Sequence, residues 1–170
     1  MCGRCSKSLW GWLFSSLPTD DLPFIDEHAI EVAAPPERVW EAICQTAASS
    51  FGGRWAEFLA RLLGTAERHP QGDPTEPGST ITGFRIGRAD APVELALEGE
   101  HRFSRYALIF HLEALPDGRS RVSAETRAVF PGLHGRAYRA LVIGTRGHVL
   151  AVKRLLHAVR ARAERAPAAR

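Results

Sequence analysis

The sequence predicts an α+β fold in which a curved antiparallel sheet wraps around a long C-terminal helix, with two short helices after the first strand. Three observations predict it. An alternating segment near residue 30 runs into Pro35-Pro36 and a helical pattern. Between Thr80 and Phe130, period-two alternation recurs in consecutive blocks separated by turn residues. From about Leu133 to Arg165 one helical apolar periodicity continues without a proline. The chain has 170 residues, 45% hydrophobic and 24% charged, which suits a single globular domain. No apolar run approaches the roughly 20 residues that span a bilayer.

At the N-terminus, Ser6 can cap a short amphipathic helix with Trp10, Leu13, Phe14 and Leu17 on one face, ended by Pro18. Residues 1–25 are expected to form an extension to a domain spanning 26–165, and 166–170 a frayed tail. Glu27–Ala34 alternates, His28, Ile30 and Val32 against Ala29 and Glu31, and reads as a strand. Pro36 suits the first position of a helix carrying Val39, Trp40 and Ile43. Phe51, Trp55, Phe58, Leu59, Leu62 and Leu63 predict a second helix, with Gly64 as its terminator. His69–Ser79, rich in Pro and Gly, is a loop.

Three or four strands follow. Thr80–Arg88 carries Phe84 and Ile86. Val93–Phe103 sets Leu95, Leu97, His101 and Phe103 against Glu94, Glu98, Glu100 and Arg102. Arg105–Leu115 sets Tyr106, Leu108, Phe110 and Leu112 against Ile109, His111 and Glu113, and Pro116-Asp117-Gly118 turns the chain. Arg119–Phe130 sets Val122, Ala124, Thr126 and Ala128 against Arg121, Ser123, Glu125 and Arg127. Such strands have one apolar and one wet face, where Glu98, Glu100 and Glu113 can pair with Arg121 and Arg127. The terminal helix is expected to be one element whose apolar face is Tyr138, Leu141, Val142, Val149, Val152, Leu155, Leu156 and Val159. Packed on the inner sheet face it leaves a cavity, since Gly99, Ala124, Ala128, Gly144 and Gly147 fill little space.

Formal net charge is +3, but from Arg136 onward nine basic residues face Glu164 alone. That is a basic C-terminal element on a mildly acidic body. No base-stacking aromatics interleave its cations, so no nucleic acid partner is expected. Three cysteines, Cys2, Cys5 and Cys44, exclude a disulfide framework and point to a reducing, cytoplasmic compartment. The CxxC of Cys2 and Cys5 has no second ligand pair, so no metal is expected. The absence of a P-loop, a dinucleotide fingerprint and a nucleophile elbow leaves no cofactor to expect.

The segment Ile30-Glu31-Val32-Ala33-Ala34-Pro35-Pro36-Glu37-Arg38-Val39-Trp40-Glu41-Ala42-Ile43, with this element order, resembles the opening of the START-like (SRPBCC) helix-grip superfamily. Gly99–Tyr106 and Tyr138–His148 are similar to an uncharacterised bacterial branch of it. The grouping contains polyketide cyclases and dehydrases, lipid-transfer proteins and hydrophobic-ligand binders, and the resemblance covers 26–165. It implies a hydrophobic or amphipathic small-molecule partner held in an internal cavity.

The expected lining is Phe84, Phe103, Phe110 and Tyr138, with His101, Tyr106, Thr126, Thr145 and His148 as converging polar groups. An inward His is also commonly a core residue bonded to backbone, and a helical Thr commonly bonds to its preceding turn. An enzymatic alternative makes His101 or His148 a general base and Tyr106 or Tyr138 an enolate stabiliser, as in a cyclase or dehydrase. No carboxylate near either His in sequence orients its ring. A second alternative is a membrane surface or a protein partner on the basic helix, where Ile143 and Leu150 lie among arginines. Trp10, Trp12 and Phe14 of the extension can instead cover those two residues.

Overall fold

The structure, a computed structural model, describes residues 21–50, 65, 70–73 and 75–165. The expected helices at 6–17 and 51–63, the CxxC and the tail lie outside them. β1 (Phe24–Val32) alternates as its sequence requires, Val32 fully buried and Ala29 and Glu31 exposed. Pro35 then offers its carbonyl to the amides of Arg38 and Val39, both at 3.1 Å, and starts α1 (Pro36–Ser50). A proline at that position loses no helical hydrogen bond. α1 buries Val39, Trp40, Ile43 and Ala47.

The meander contains β2 (Thr80–Ile81), β3 (Phe84–Asp90), β4 (Glu94–His101), β5 (Ser104–Ala114) and β6 (Ser120–Val129). Thr80–Arg88 is therefore not one strand. It breaks at Gly83, whose φ of 86° suits glycine and turns β2 back onto β3. The six strands are ordered β1-β6-β5-β4-β3-β2, all antiparallel, so the first strand closes the sheet beside the last. Pro116–Gly118 makes the β5–β6 turn, with Asp117 and Gly118 both at positive φ.

The inner face buries Ile86, Leu95, Leu97, Phe110 and Val122 against α1 and the terminal helix. Each such side chain stabilises the fold by roughly 1.5–3 kcal/mol relative to exposure. On the outer face Leu22 covers a small cluster of Ala96, Ala107 and Ile109. Around it runs a polar ladder, Arg88–Glu94 at 2.6 Å, Glu94–His111 at 3.4 Å and His111–Glu125 at 3.5 Å, ending in a Glu125–Arg127 pair. Glu98 pairs with Arg85 at 3.0 Å rather than with the β6 arginines, because β3 lies beside it. The register sets Glu113 opposite Arg121.

The C-terminal segment is two helices, α2 (Gly132–Val142) and α3 (Gly147–Arg165), not the single helix its periodicity suggests. The break has local causes. A Cβ at Gly144 would sit 2.3 Å from the Ala140 carbonyl oxygen, and Arg146 adopts a left-handed φ of 57°. Thr145 Oγ1 donates to the Leu141 carbonyl at 2.5 Å and accepts from the Gly147 amide at 3.4 Å, closing one helix and opening the next. Only α3 carries a buried face, of Val152, Leu155, Leu156, Val159 and Ala163, while Leu141 is 65% exposed. α3 is tied to α1 through Arg162, which donates to Thr46 Oγ1 at 2.8 Å.

Candidate functional site

Between the inner face of the sheet and α3 lies a cavity of about 550 Å³. Its apolar walls come from Phe84 on β3, Leu108 on β5, and Val152 and Leu155 on α3. These positions follow from period two in the strands and 3.6 in the helix. Tyr106, Thr126 and His148 supply polar groups, and the exposed Ala151, Arg154 and Ala158 form its rim on α3.

Tyr106 lies across Gly99, its register partner. A Cβ on Gly99 would sit 2.3 Å from the ring, so the glycine is filled by the tyrosine and adds no cavity space. The hydroxyl donates to the Gly83 carbonyl at 2.8 Å, and Phe84 meets the ring edge-on at 5.2 Å between centroids. Gly144 and Gly147 lie in the exposed break between α2 and α3 and open no interior space either.

His148, in the first turn of α3, reaches β1. Its Nε2 donates to Asp26 Oδ2 at 2.7 Å, and its Nδ1 lies 3.3 Å from the Val142 carbonyl. The same carboxylate oxygen is 3.3 Å from His28 Nε2. Asp26 is the register partner of Thr126, just past a bulge in the β1–β6 ladder. Two buried oxygens here, Asp26 Oδ1 and Thr126 Oγ1, have no hydrogen-bond partner.

His101 does not join this group. It is 7% exposed at the β4–β5 hairpin, with Nδ1 accepting from the Phe103 amide at 3.2 Å and Nε2 3.2 Å from Ser104 Oγ. Since Nδ1 is an acceptor, Nε2 carries the proton of the neutral ring and donates to Ser104. Burial first, and then the Arg102 charge, lower its pKa to about 4. Tyr138 packs edge-on against the ring at 4.9 Å and stacks on Phe103 at 5.6 Å. Burial raises the pKa of the Tyr138 phenol.

Of the residues read as ligand-facing, Phe84, Tyr106, Thr126 and His148 line the cavity. His101, Phe103 and Tyr138 form a neighbouring aromatic cluster, and Phe110 is 1% exposed in the solid core. Thr145 is exposed at the helix break, because the break rotates it away from the sheet. Sequence reasoning missed Asp26, the carboxylate that orients His148. It shares the parity of His28, Ile30 and Val32, which was the available signal.

A general base needs one nitrogen open to its substrate. Both nitrogens of His101 and of His148 already face protein groups, so these two offer no open base, and the lining suits an apolar body with a few polar atoms. Among the described residues, no group of three or more His, Cys, Asp or Glu could hold a metal, and no helix is long and apolar enough to cross a membrane.

No protein-family model and no curated protein matches the chain. Among solved structures, the Zhui aromatase/cyclase from Streptomyces sp. R1128 is similar at 15% identity and a TM-score of 0.54, over 85% of this chain and 94% of its own. Protein Ms6760 from Mycobacterium smegmatis is similar at 12% identity and a TM-score of 0.50, over 82% of this chain and 96% of its own. At these identities the likeness is one of fold. With its antiparallel meander, the first strand beside the last and a terminal helix along the inner face, the chain has an α+β helix-grip fold.

Proposed function

We propose that the chain binds a hydrophobic or amphipathic small molecule between the sheet and α3, as a carrier or sequestering protein. The observation that carries this reading is the apolar-walled cavity of about 550 Å³. That size accommodates a small lipid or a fused-ring compound, held mainly by apolar contact. Native mass spectrometry of protein purified from its own cells tests it. A bound lipid or polyketide mass is expected, absent from Ala151→Trp, whose indole would fill the opening. The same adducts on both proteins would overturn the proposal. Turnover is the weaker reading, because His148 Nε2 donates to Asp26 and its Nδ1 faces the Val142 carbonyl rather than the cavity.

A second reading rests on exposed leucines. Leu133, Leu141 and Leu150 are 77%, 65% and 53% exposed, among Arg136, Arg139 and Arg146. Apolar side chains between cations suit an anionic lipid surface. It calls for sedimentation with phosphatidylglycerol vesicles, weakening with salt, and for none with phosphatidylcholine.

A further inference from the structure

Among the cations of α3, Arg154 alone is on the cavity lining. Arg162 is bonded to Thr46 and Ser49, and Arg160 lies 3.2 Å from His157. Arg154 makes no hydrogen bond or ion pair with any described residue, yet it lines the cavity. It sits three residues after Ala151 and four before Ala158, so all three share one exposed stripe beside the buried one of Val152, Leu155 and Val159. The alanines leave the guanidinium unobstructed at the opening. No acidic residue lies within a turn of it on α3, where the acid nearest in sequence is Glu164. Six residues toward the N-terminus is His148, roughly 9 Å along the helix axis at 1.5 Å per residue. On the lining, Thr126 and His148 bring polar groups, and Arg154, unpaired with any described residue, brings a positive charge to the rim.

We infer that the ligand is an amphipathic organic anion, its acidic group held by Arg154 at the rim and its apolar body inside. This rests on the cavity-binding reading above and adds to it the charge and orientation of the ligand. Arginine presents a planar fork of donors that matches a carboxylate or sulfonate in two parallel hydrogen bonds. A neutral ligand of the same shape would leave that fork in water at no gain.

The test uses two fluorescent probes that share one aromatic body, anionic 1-anilinonaphthalene-8-sulfonate and neutral N-phenyl-1-naphthylamine. Both should brighten on binding and be displaced by dodecanoate. Arg154→Gln should weaken the anionic probe about five- to tenfold, the size of a partly exposed charge-assisted contact, and leave the neutral probe unchanged. Arg165→Gln, exposed at the far end of α3, should alter neither. Binding of the neutral probe with no selective loss of the sulfonate in Arg154→Gln would overturn this inference and spare the cavity reading. Failure of both probes to bind would overturn the two together.

Discussion

His148 Nε2 lies 2.7 Å from Asp26 Oδ2, a bond across 122 residues that fastens the first turn of α3 to β1 at one end of the cavity. Both side chains are largely buried, at 12% and 22% exposure, so each would be left with an unsatisfied polar group if the other were removed. Asp26→Ala and His148→Leu should each lower the unfolding free energy by about 1–3 kcal/mol. The double variant should cost clearly less than their sum, with a coupling of about 1 kcal/mol or more in a urea-denaturation cycle. Strict additivity would show that the contact contributes nothing.

The pairing of Gly99 with Tyr106 yields a second expectation. A methyl group at Gly99 would meet the Tyr106 ring at 2.3 Å and the Gly83 carbonyl oxygen at 2.5 Å, and the second neighbour is backbone that cannot rotate away. Gly99→Ala should therefore destabilise by at least about 2 kcal/mol, an overpacking cost. Tyr106→Phe keeps the ring over the glycine and loses the bond to Gly83, so about 1 kcal/mol is expected. Thermal unfolding of both variants checks the order.

At the helix break, the left-handed φ of Arg146 costs a non-glycine residue roughly 1 kcal/mol. Arg146→Gly should raise the urea midpoint slightly, worth up to about 0.5 kcal/mol once the greater freedom of glycine in the unfolded chain is counted. Arg146→Ala keeps the strain and should show no gain. Equal effects from the two substitutions would mean that the backbone is unstrained there.

How much of this was legible in the sequence depends on whether the determinant is local. β4, β5 and β6 were readable because alternation persists over eight or more residues and Pro116–Gly118 marks one hairpin. The break after α2 was not. Val142 and Val149 are seven apart, so the apolar pattern resumes in phase and hides the interruption, and arginine gives no sign of a left-handed backbone. Gly144 and Thr145 were its only markers, and a mid-helix reading absorbed them. That error misplaced Thr145 in the cavity. Gly99 looked like empty space until the register was known. The tight turn at Arg102–Phe103, which pairs His101 with Ser104, sets Tyr106 opposite it. Asp26 and His148 meet only because β1 pairs with β6, a contact that periodicity cannot report.

The buried imidazole of His101 makes stability depend on pH in a window the sequence did not suggest. Its pKa is about 4 in the folded protein against an ordinary 6.5, so between those values the unfolded chain binds more protons. The stability that the neutral ring contributes is present in full above pH 6.5 and is lost as pH falls toward 4. Integrated to pH 5, the loss is about 2 kcal/mol. His101→Gln keeps an acceptor for the Phe103 amide but does not titrate, so its baseline is lower and its decline between pH 7 and pH 5 shallower by about that amount. Urea midpoints at pH 7, 6 and 5 for the two proteins measure the difference. Parallel declines would mean that His101 is protonated without cost in the folded state, and hence that the Phe103 amide is not its partner.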